Sequence, residues 1–283
     1  MTGNPLFCGI ELARRIEAAE AELITAATLA ARARGGWGLT LPVGGGYACA
    51  AEPGSPMNKV VGLGIADSVD AAAITAVEDA CADLGVDVQV ELSSLADPAV
   101  AQLLTERGYV LVGFENVLGC APADTPTARA DQIDVRRDGG LDAWADALVD
   151  GFAHPDGVGV GSHEEFPRGV VENAVRDIVT AGARTYLAES DGQVAGAAGM
   201  RLTGGVAQLT GAATVPAFRR RGVQTRLLAT RLTDAAAAGC DIAVVTTAPG
   251  STSQKNVQRR GFHLLYTRAI LVRRCGPART ATP

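Results

Sequence analysis

The chain has 283 residues, of which 47% are hydrophobic, 20% charged and 4% aromatic, with a formal net charge of −6. That length suits two domains, or one large one, and the apolar fraction excludes a wholly disordered chain. The acidic balance weighs against a general nucleic-acid binder, no apolar run reaches the roughly 18 residues that cross a bilayer, and residues 1–15 lack the basic flank and apolar block of a secretory leader.

Residues 11–34 are rich in Ala, Leu, Glu and Arg, with Leu12, Ile16, Ala19, Leu23 and Ala27 at helical spacing. Gly35-Gly36 stops that helix. Residues 37–51 alternate loosely around Gly44-Gly45-Gly46 and predict two short strands. A strand over 59–65, a helix over 69–84 stopped by Gly85, and a strand over 86–92 follow. Pro98 opens a helix over 98–107, Gly108 stops it, and 109–118 is a strand. Residues 121–130, small, polar and proline-bearing, read as a linker.

The second half repeats this order. A strand over 132–137 and a helix over 141–152 lead into a glycine-rich loop over 154–167, where Gly157, Gly159 and Gly161 alternate like a mobile flap. A helix over 169–181 precedes a hairpin, 184–190 with 194–202, turning at Asp191-Gly192. A strand over 206–215, a turn, a helix over 223–238, a strand over 241–246, a helix over 253–260 and a strand over 263–272 complete the chain. Gly85 to Gly108 spans 108 − 85 = 23 positions and Gly239 to Gly261 spans 261 − 239 = 22. The matched order predicts an internal duplication with a period of about 153 residues (261 − 108).

The six cysteines, Cys8, Cys49, Cys81, Cys120, Cys240 and Cys275, are scattered and form no C-x-x-C pair. With only His154, His163 and His263 beside them, no metal site is expected. They read as reduced packing residues of a cytoplasmic protein. The Ala/Gly/Arg-rich style fits a GC-rich bacterial genome.

The most informative stretch runs from Val206 to Leu228. A strand reaches Pro216, which ends its ladder. Arg219, Arg220 and Arg221 follow, then Gly222, then a helix. The first N–H groups of a helix lack internal partners and, with the helix dipole, favour an anion, typically a phosphate. The arginines add charge and Thr225 a hydroxyl. These residues alone predict binding of a phosphorylated ligand at the end of a strand. Gly62-Leu63-Gly64 lacks the third glycine of a dinucleotide fingerprint and is not read as one.

Arg219-Arg220-Arg221-Gly222-Val223-Gln224 resembles the R/Q-x-x-G-x-G/A signature of the GNAT superfamily of acyl-CoA-dependent N-acyltransferases. The order of elements around it, with Gly261-Phe262 downstream, is similar to that family over roughly residues 132–274. Gln224 departs from the signature, standing at its second Gly/Ala position. The resemblance implies an α+β fold of two GNAT-like domains, each a mixed, mostly antiparallel sheet flanked by helices. Residues 1–122 would be a degenerate domain without a pyrophosphate loop, 123–131 a linker, 132–275 the catalytic domain and 276–283 a flexible tail.

It also implies a ligand, acetyl-CoA. The pyrophosphate would rest on main-chain N–H groups among Arg220, Arg221, Gly222, Val223, Gln224, Thr225 and Arg226, and the pantetheine arm on Ala213, Thr214 and Val215. Asn256 and Ser253 would contact the same ligand, with helix capping the competing role for Ser253. Relatives often carry a tyrosine acid on the helix before Gly-Phe and a glutamate base on the strand before the signature. Here that helix offers Val257 and Gln258, and that strand Gln208. Tyr266 is the reserve acid, and Glu164 or Glu165 the candidate base.

The expected activity is acetyl transfer to an amine of a small molecule or peptide, by direct attack. A non-catalytic acyl-CoA sensor and a protein-binding scaffold are the alternatives. Neither a nucleic-acid nor a membrane partner is expected, and the chain would be a monomer or a homodimer.

Overall fold

The computed structural model describes residues 6–124, 133–155, 158–160 and 164–275. In chain order the elements are α1 (Ile10–Ala33), β1 (Leu39–Val43), β2 (Gly46–Ala50), β3 (Lys59–Val61), α2 (Ala71–Leu84), β4 (Val88–Ser93), α3 (Pro98–Glu106), β5 (Val110–Cys120), β6 (Asp134–Arg137), α4 (Leu141–Ala153), α5 (Arg168–Thr180), β7 (Arg184–Ser190), β8 (Gln193–Thr203), β9 (Val206–Gln208), β10 (Ala212–Thr214), α6 (Val223–Ala237), β11 (Ile242–Thr247), α7 (Thr252–Gln258) and β12 (His263–Arg273). The expected linker residues 125–131 and the tail 276–283 lie outside the described residues.

The chain divides into two compact units that do not follow the sequence boundaries expected above. An N-terminal unit comprises Cys8–Glu115, Ser162–Phe166 and the chain from Tyr266 onward. A C-terminal unit is built chiefly from Asn116–Gly161 and Pro167–Leu265. Each sheet thus takes a strand from the other half of the sequence. β12 pairs antiparallel with β4, Arg268 opposite Ser93 through Arg273 opposite Val88. The end of β5 pairs antiparallel with β11, Asn116 opposite Thr247 through Cys120 opposite Ala243. Strand pairing answers to the free edge of a sheet and not to nearness in sequence, so a reading by segments misses the exchange.

In the N-terminal unit the strand order is β1-β2-β3-β4-β12, with only β3 and β4 parallel. Its core joins Ile74 and Val77 of α2 and Val100 and Leu104 of α3 to Val60, Val88, Val90 and Leu271 of the sheet. Helix ends are set by local chemistry. Asp70 accepts a hydrogen bond from Ala73 N at the start of α2 (2.7 Å), and Gly85 ends that helix in the left-handed conformation. Asp97 and Pro98 open α3.

In the C-terminal unit the order is β5-β11-β9-β8-β7-β6, with β10 paired only to β8. β9 and β11 are parallel and the other pairs antiparallel. α4 and α5 cover one face, packing Trp144, Leu148 and Val175 on Leu187, Ala197 and Ala213. Leu227 and Leu228 of α6, with Val257 of α7, join Tyr186, Ala198 and Met200 in a second core. Burying each such leucine contributes about 1.5–3 kcal/mol. Both units are therefore mixed, mostly antiparallel sheets flanked by helices, the fold class that the sequence resemblance implied.

Candidate active site

The site starts from a break in one strand of the C-terminal unit. Residues 206–215 read as a single strand in the sequence, but they form two segments, β9 and β10, separated at Leu209, Thr210 and Gly211. β9 lies parallel to β11, and Leu209 N donates to Val244 O at 2.9 Å. Beyond that bond, no backbone hydrogen bond joins β10 to β11 among the described residues.

Two features hold the break. Gly199 N donates to both Thr210 O (2.9 Å) and Gly211 O (3.0 Å). From α6, Arg231 donates Nη1 to Gly199 O at 3.0 Å. Arg231 is only 2% exposed, and burial pulls its guanidinium down to about 10. Nothing in the helical periodicity marked this arginine as part of a strand break.

The ladder register decides which backbone groups face the gap. Val215 N donates to Ala195 O (3.0 Å), and Ala213 lies opposite Ala197. Bonded pairs alternate along an antiparallel ladder. Ala213 and Val215 therefore turn their backbone groups to β8, whereas Ala212 and Thr214 present N–H and C=O to the side β11 has left. Of the three residues expected from sequence, Thr214 has the required orientation, and Ala212 joins it.

The chain then turns through Pro216–Phe218 into the arginine run. Arg220 adopts φ +63° and Gly222 φ +87°. Both angles are left-handed, a region that glycine occupies freely and a bulkier residue only at a cost. α6 starts at Val223 with no side-chain cap. Arg226 N donates to Gly222 O at 3.0 Å, but the N–H groups of residues 220–225 make no hydrogen bond to another described residue. Six consecutive open donors, at the positive end of a 15-residue helix, form a concave anion cradle.

The surrounding side chains are sorted by their contacts. Arg221 stacks over the Phe218 ring, 5.3 Å from its centroid, and Arg219 donates to His154 O. Arg226 Nε donates to Ile133 O at 3.3 Å, so its side chain braces β6. Val223 is buried, while Gln224 and Thr225 are half-buried.

The end of α4 and described residues beyond it touch β10 and the segment after β11. Gly151, near the end of α4, packs so closely on β10 that a Cβ there would lie 2.3 Å from Ala213 Cβ. Further along, Val160 N donates to Pro249 O (3.3 Å), just past β11. Gly159 packs against Ser251. Gly157 and Gly161, also expected in this flap, lie outside the described residues.

At the end of β11, Thr247 is 5% exposed, and its hydroxyl has no hydrogen-bond partner among the described residues. Ser251 caps α7 by accepting from Gln254 N at 3.1 Å. The cap is thus Ser251, while Ser253 is exposed and Asn256 half-buried.

The expected acid and base are placed elsewhere. Tyr266 belongs to the N-terminal unit, is 5% exposed, and donates its hydroxyl proton to Glu17 Oε1 at 2.6 Å. Burial first, then the Glu17 carboxylate, holds that phenol well above its usual range. Arg268 Nε reaches the same Glu17 oxygen at 2.9 Å. Tyr266 is therefore a member of a buried charge cluster, and its role as acid is withdrawn. Glu164 and Glu165 are also grouped with the N-terminal unit. There they line a cavity of about 950 Å³ with Asp87, Arg107, Phe166 and Arg273. The sequence placed them in the flap by position alone, without the fold that carries them away.

Comparison with known proteins agrees with this architecture. Residues 152–262 match the model of the acetyltransferase (GNAT) family. That segment of the C-terminal unit is therefore a GNAT-type acetyltransferase domain. A GCN5-related N-acetyltransferase from Kribbella flavida shares the fold at TM-score 0.63 and 18% identity, covering 90% of this chain and 96% of that one. A tandem GNAT protein of the clavulanic acid biosynthesis pathway aligns at TM-score 0.58 and 14% identity, covering 83% and 82%. A GCN5-related N-acetyltransferase from Sphaerobacter thermophilus aligns at TM-score 0.52 and 18% identity, covering 73% and 67%. No curated protein matches the chain. Among the described residues no helix is long and apolar enough to cross a membrane, and no group of three or more His, Cys, Asp or Glu could hold a metal ion.

Proposed function

We propose that the C-terminal unit binds acetyl-CoA and transfers its acetyl group to an amine of a small molecule or peptide. The run of unpaired N–H groups at residues 220–225, directly beyond the opening between β10 and β11, carries this reading. A diphosphate suits that cradle: it accepts several main-chain donors at once and complements both the helix dipole and the three arginines. An extended amide-bearing arm suits the opening, where Ala212 and Thr214 supply the backbone groups of a missing strand. Gln224 is half-buried beside the cradle, and main-chain binding tolerates a side chain there.

Bound in this way, the thioester supplies an activated acetyl group. The Thr214 N–H is the donor placed to stabilise charge growing on a carbonyl oxygen in the gap. Removing such a donor typically costs about 3–4 kcal/mol of barrier. Holding both reactants in one cleft supplies much of the remaining acceleration. The buried Val257 at 3% exposure, with no tyrosine on α7, favours a second reading as an acyl-CoA sensor.

Thermal unfolding with and without acetyl-CoA, combined with thiol release over pooled amines, separates these readings. Stabilisation with amine-dependent thiol release supports the transferase. Stabilisation without release over a broad panel supports the sensor, and no stabilisation refutes both.

A further inference from the structure

We propose that His154 is the general base of this reaction, with its imidazole Nε2 taking the proton from the attacking amine. The inference rests on the acyl-transfer reading above and concerns a residue with no counterpart among the acid and base candidates offered by the sequence.

Four contacts, all within the C-terminal unit, locate the residue. Gly151 lies on Ala213 and Thr214, its Cβ position 3.7 Å from Thr214 N, the donor facing the gap. His154 follows three positions later as the C-cap of α4, at φ −124° and ψ 66°. Arg219, from the turn that leads into the cradle, donates to His154 O and fixes the backbone there. On the far side, Val160 N is anchored to Pro249 O beyond β11. His154 is thus tied through its carbonyl to the turn that leads into the cradle, three positions after the glycine that packs on Thr214.

The hydrogen bonding of the ring sets its chemistry. Nδ1 lies 2.8 Å from Asp150 O. A carbonyl oxygen only accepts, so Nδ1 carries the hydrogen, and the neutral ring has its free lone pair on Nε2. The Asp150 carboxylate, 3.5 Å from Nδ1, is placed to stabilise the imidazolium that forms on proton uptake. The ring is exposed, which leaves Nε2 open to an incoming amine. A backbone-fixed tautomer with a carboxylate beside it is the arrangement that a general base requires.

The step balances. As the amine nitrogen bonds to the thioester carbonyl carbon, Nε2 accepts an N–H proton. The C–S bond then breaks, its electron pair leaves on sulfur, and the proton passes through water to the thiolate. The products are an amide, a free thiol and a neutral imidazole.

The test uses the full-length protein, its His154→Gln variant and bromoacetyl-CoA, whose electrophilic carbon occupies the acetyl position. Alkylation of Nε2 displaces bromide and adds the acyl-CoA fragment to the ring. Peptide mapping by mass spectrometry is expected to find the adduct on His154, suppressed by excess CoA and absent from H154Q. In turnover, H154Q is expected to lose 10²- to 10⁴-fold in kcat. It should also lose the ascending limb of the kcat/KM–pH profile, regain activity with added imidazole, and keep its thermal stabilisation by acetyl-CoA. An adduct on another residue, or H154Q turnover within about fivefold of the parent with the ascending limb intact, overturns the assignment. Failure of the parent to be stabilised by acetyl-CoA overturns instead the reading on which the assignment rests.

Discussion

The N-termini of α2 and α6 occupy matching places in the two units, each after a strand that runs parallel to the next strand of its sheet. They end in opposite chemistry. At α2 the Asp70 carboxylate folds back onto Ala73 N, so the chain supplies its own anion. At α6 no side chain caps the helix, three arginines precede it, and six N–H groups are left open. One carboxylate is enough to turn an anion site into a structural cap, because it takes a donor and places negative charge where a phosphate would have to sit. The two helix starts thus differ in whether the chain itself supplies the anion.

The largest effect is expected from breaking the open helix start. Gly222→Glu places a side chain at φ +87° and a carboxylate beside the cradle. At a concentration 100 times the parent dissociation constant, acetyl-CoA should stabilise the parent by about 2.7 kcal/mol. The variant should lose that stabilisation in thermal unfolding, with turnover abolished. A ligand shift equal to the parent's would place the cradle elsewhere.

A smaller effect sharpens the contrast from the other side. Asp70→Ala removes the α2 cap and is expected to cost about 1 kcal/mol in chemical denaturation. It should create no second acetyl-CoA equivalent by calorimetry, since no arginine run accompanies α2. A second binding equivalent in D70A would show that the cap alone separates the two helix starts.

A further contrast concerns the buried charges of the N-terminal unit. Glu115 is pushed up to about 7, by burial first and then by the neighbouring Glu91 carboxylate. Lys59 and Arg268 pull it in the opposite direction. A carboxyl group with a raised folded-state value holds its proton in the folded chain after the unfolded chain has released it. Its contribution to stability is then present at low pH and lost as pH rises from the ordinary glutamate range through about 7. The unfolding midpoint should fall across that window in the parent and fall less in Glu115→Gln. Equal slopes in the two proteins would remove Glu115 as the source.

The helices were legible from sequence because their signals are local. Gly85, Pro98 and Gly222 mark helix ends where they stand, and the strand–Arg219-Arg220-Arg221-Gly222–helix order is legible in the sequence. The break between β9 and β10 left no such mark. It depends on Arg231, 20 residues downstream of Gly211, reaching the carbonyl of Gly199. Ser253 illustrates the limit within a single loop: capping was a competing role for it, and backbone geometry selected Ser251 two positions earlier. The sequence puts Tyr266 on the strand after Gly261-Phe262 and Glu164 in the glycine-rich loop, and the fold groups both with the N-terminal unit.

Composition, helix stops and the arginine–glycine turn determined that this protein is an α+β chain with a helix start that follows an arginine run and a glycine, because each depends on a few adjacent residues and the intrinsic geometry of the backbone. Only the tertiary structure decided that Tyr266 is hydrogen-bonded to Glu17, that Thr214 rather than Ala213 faces the gap, and that Arg219 holds the His154 carbonyl. Those outcomes depend on strand register and on packing between residues far apart in sequence, where a shift of one position reverses the direction in which every backbone donor points.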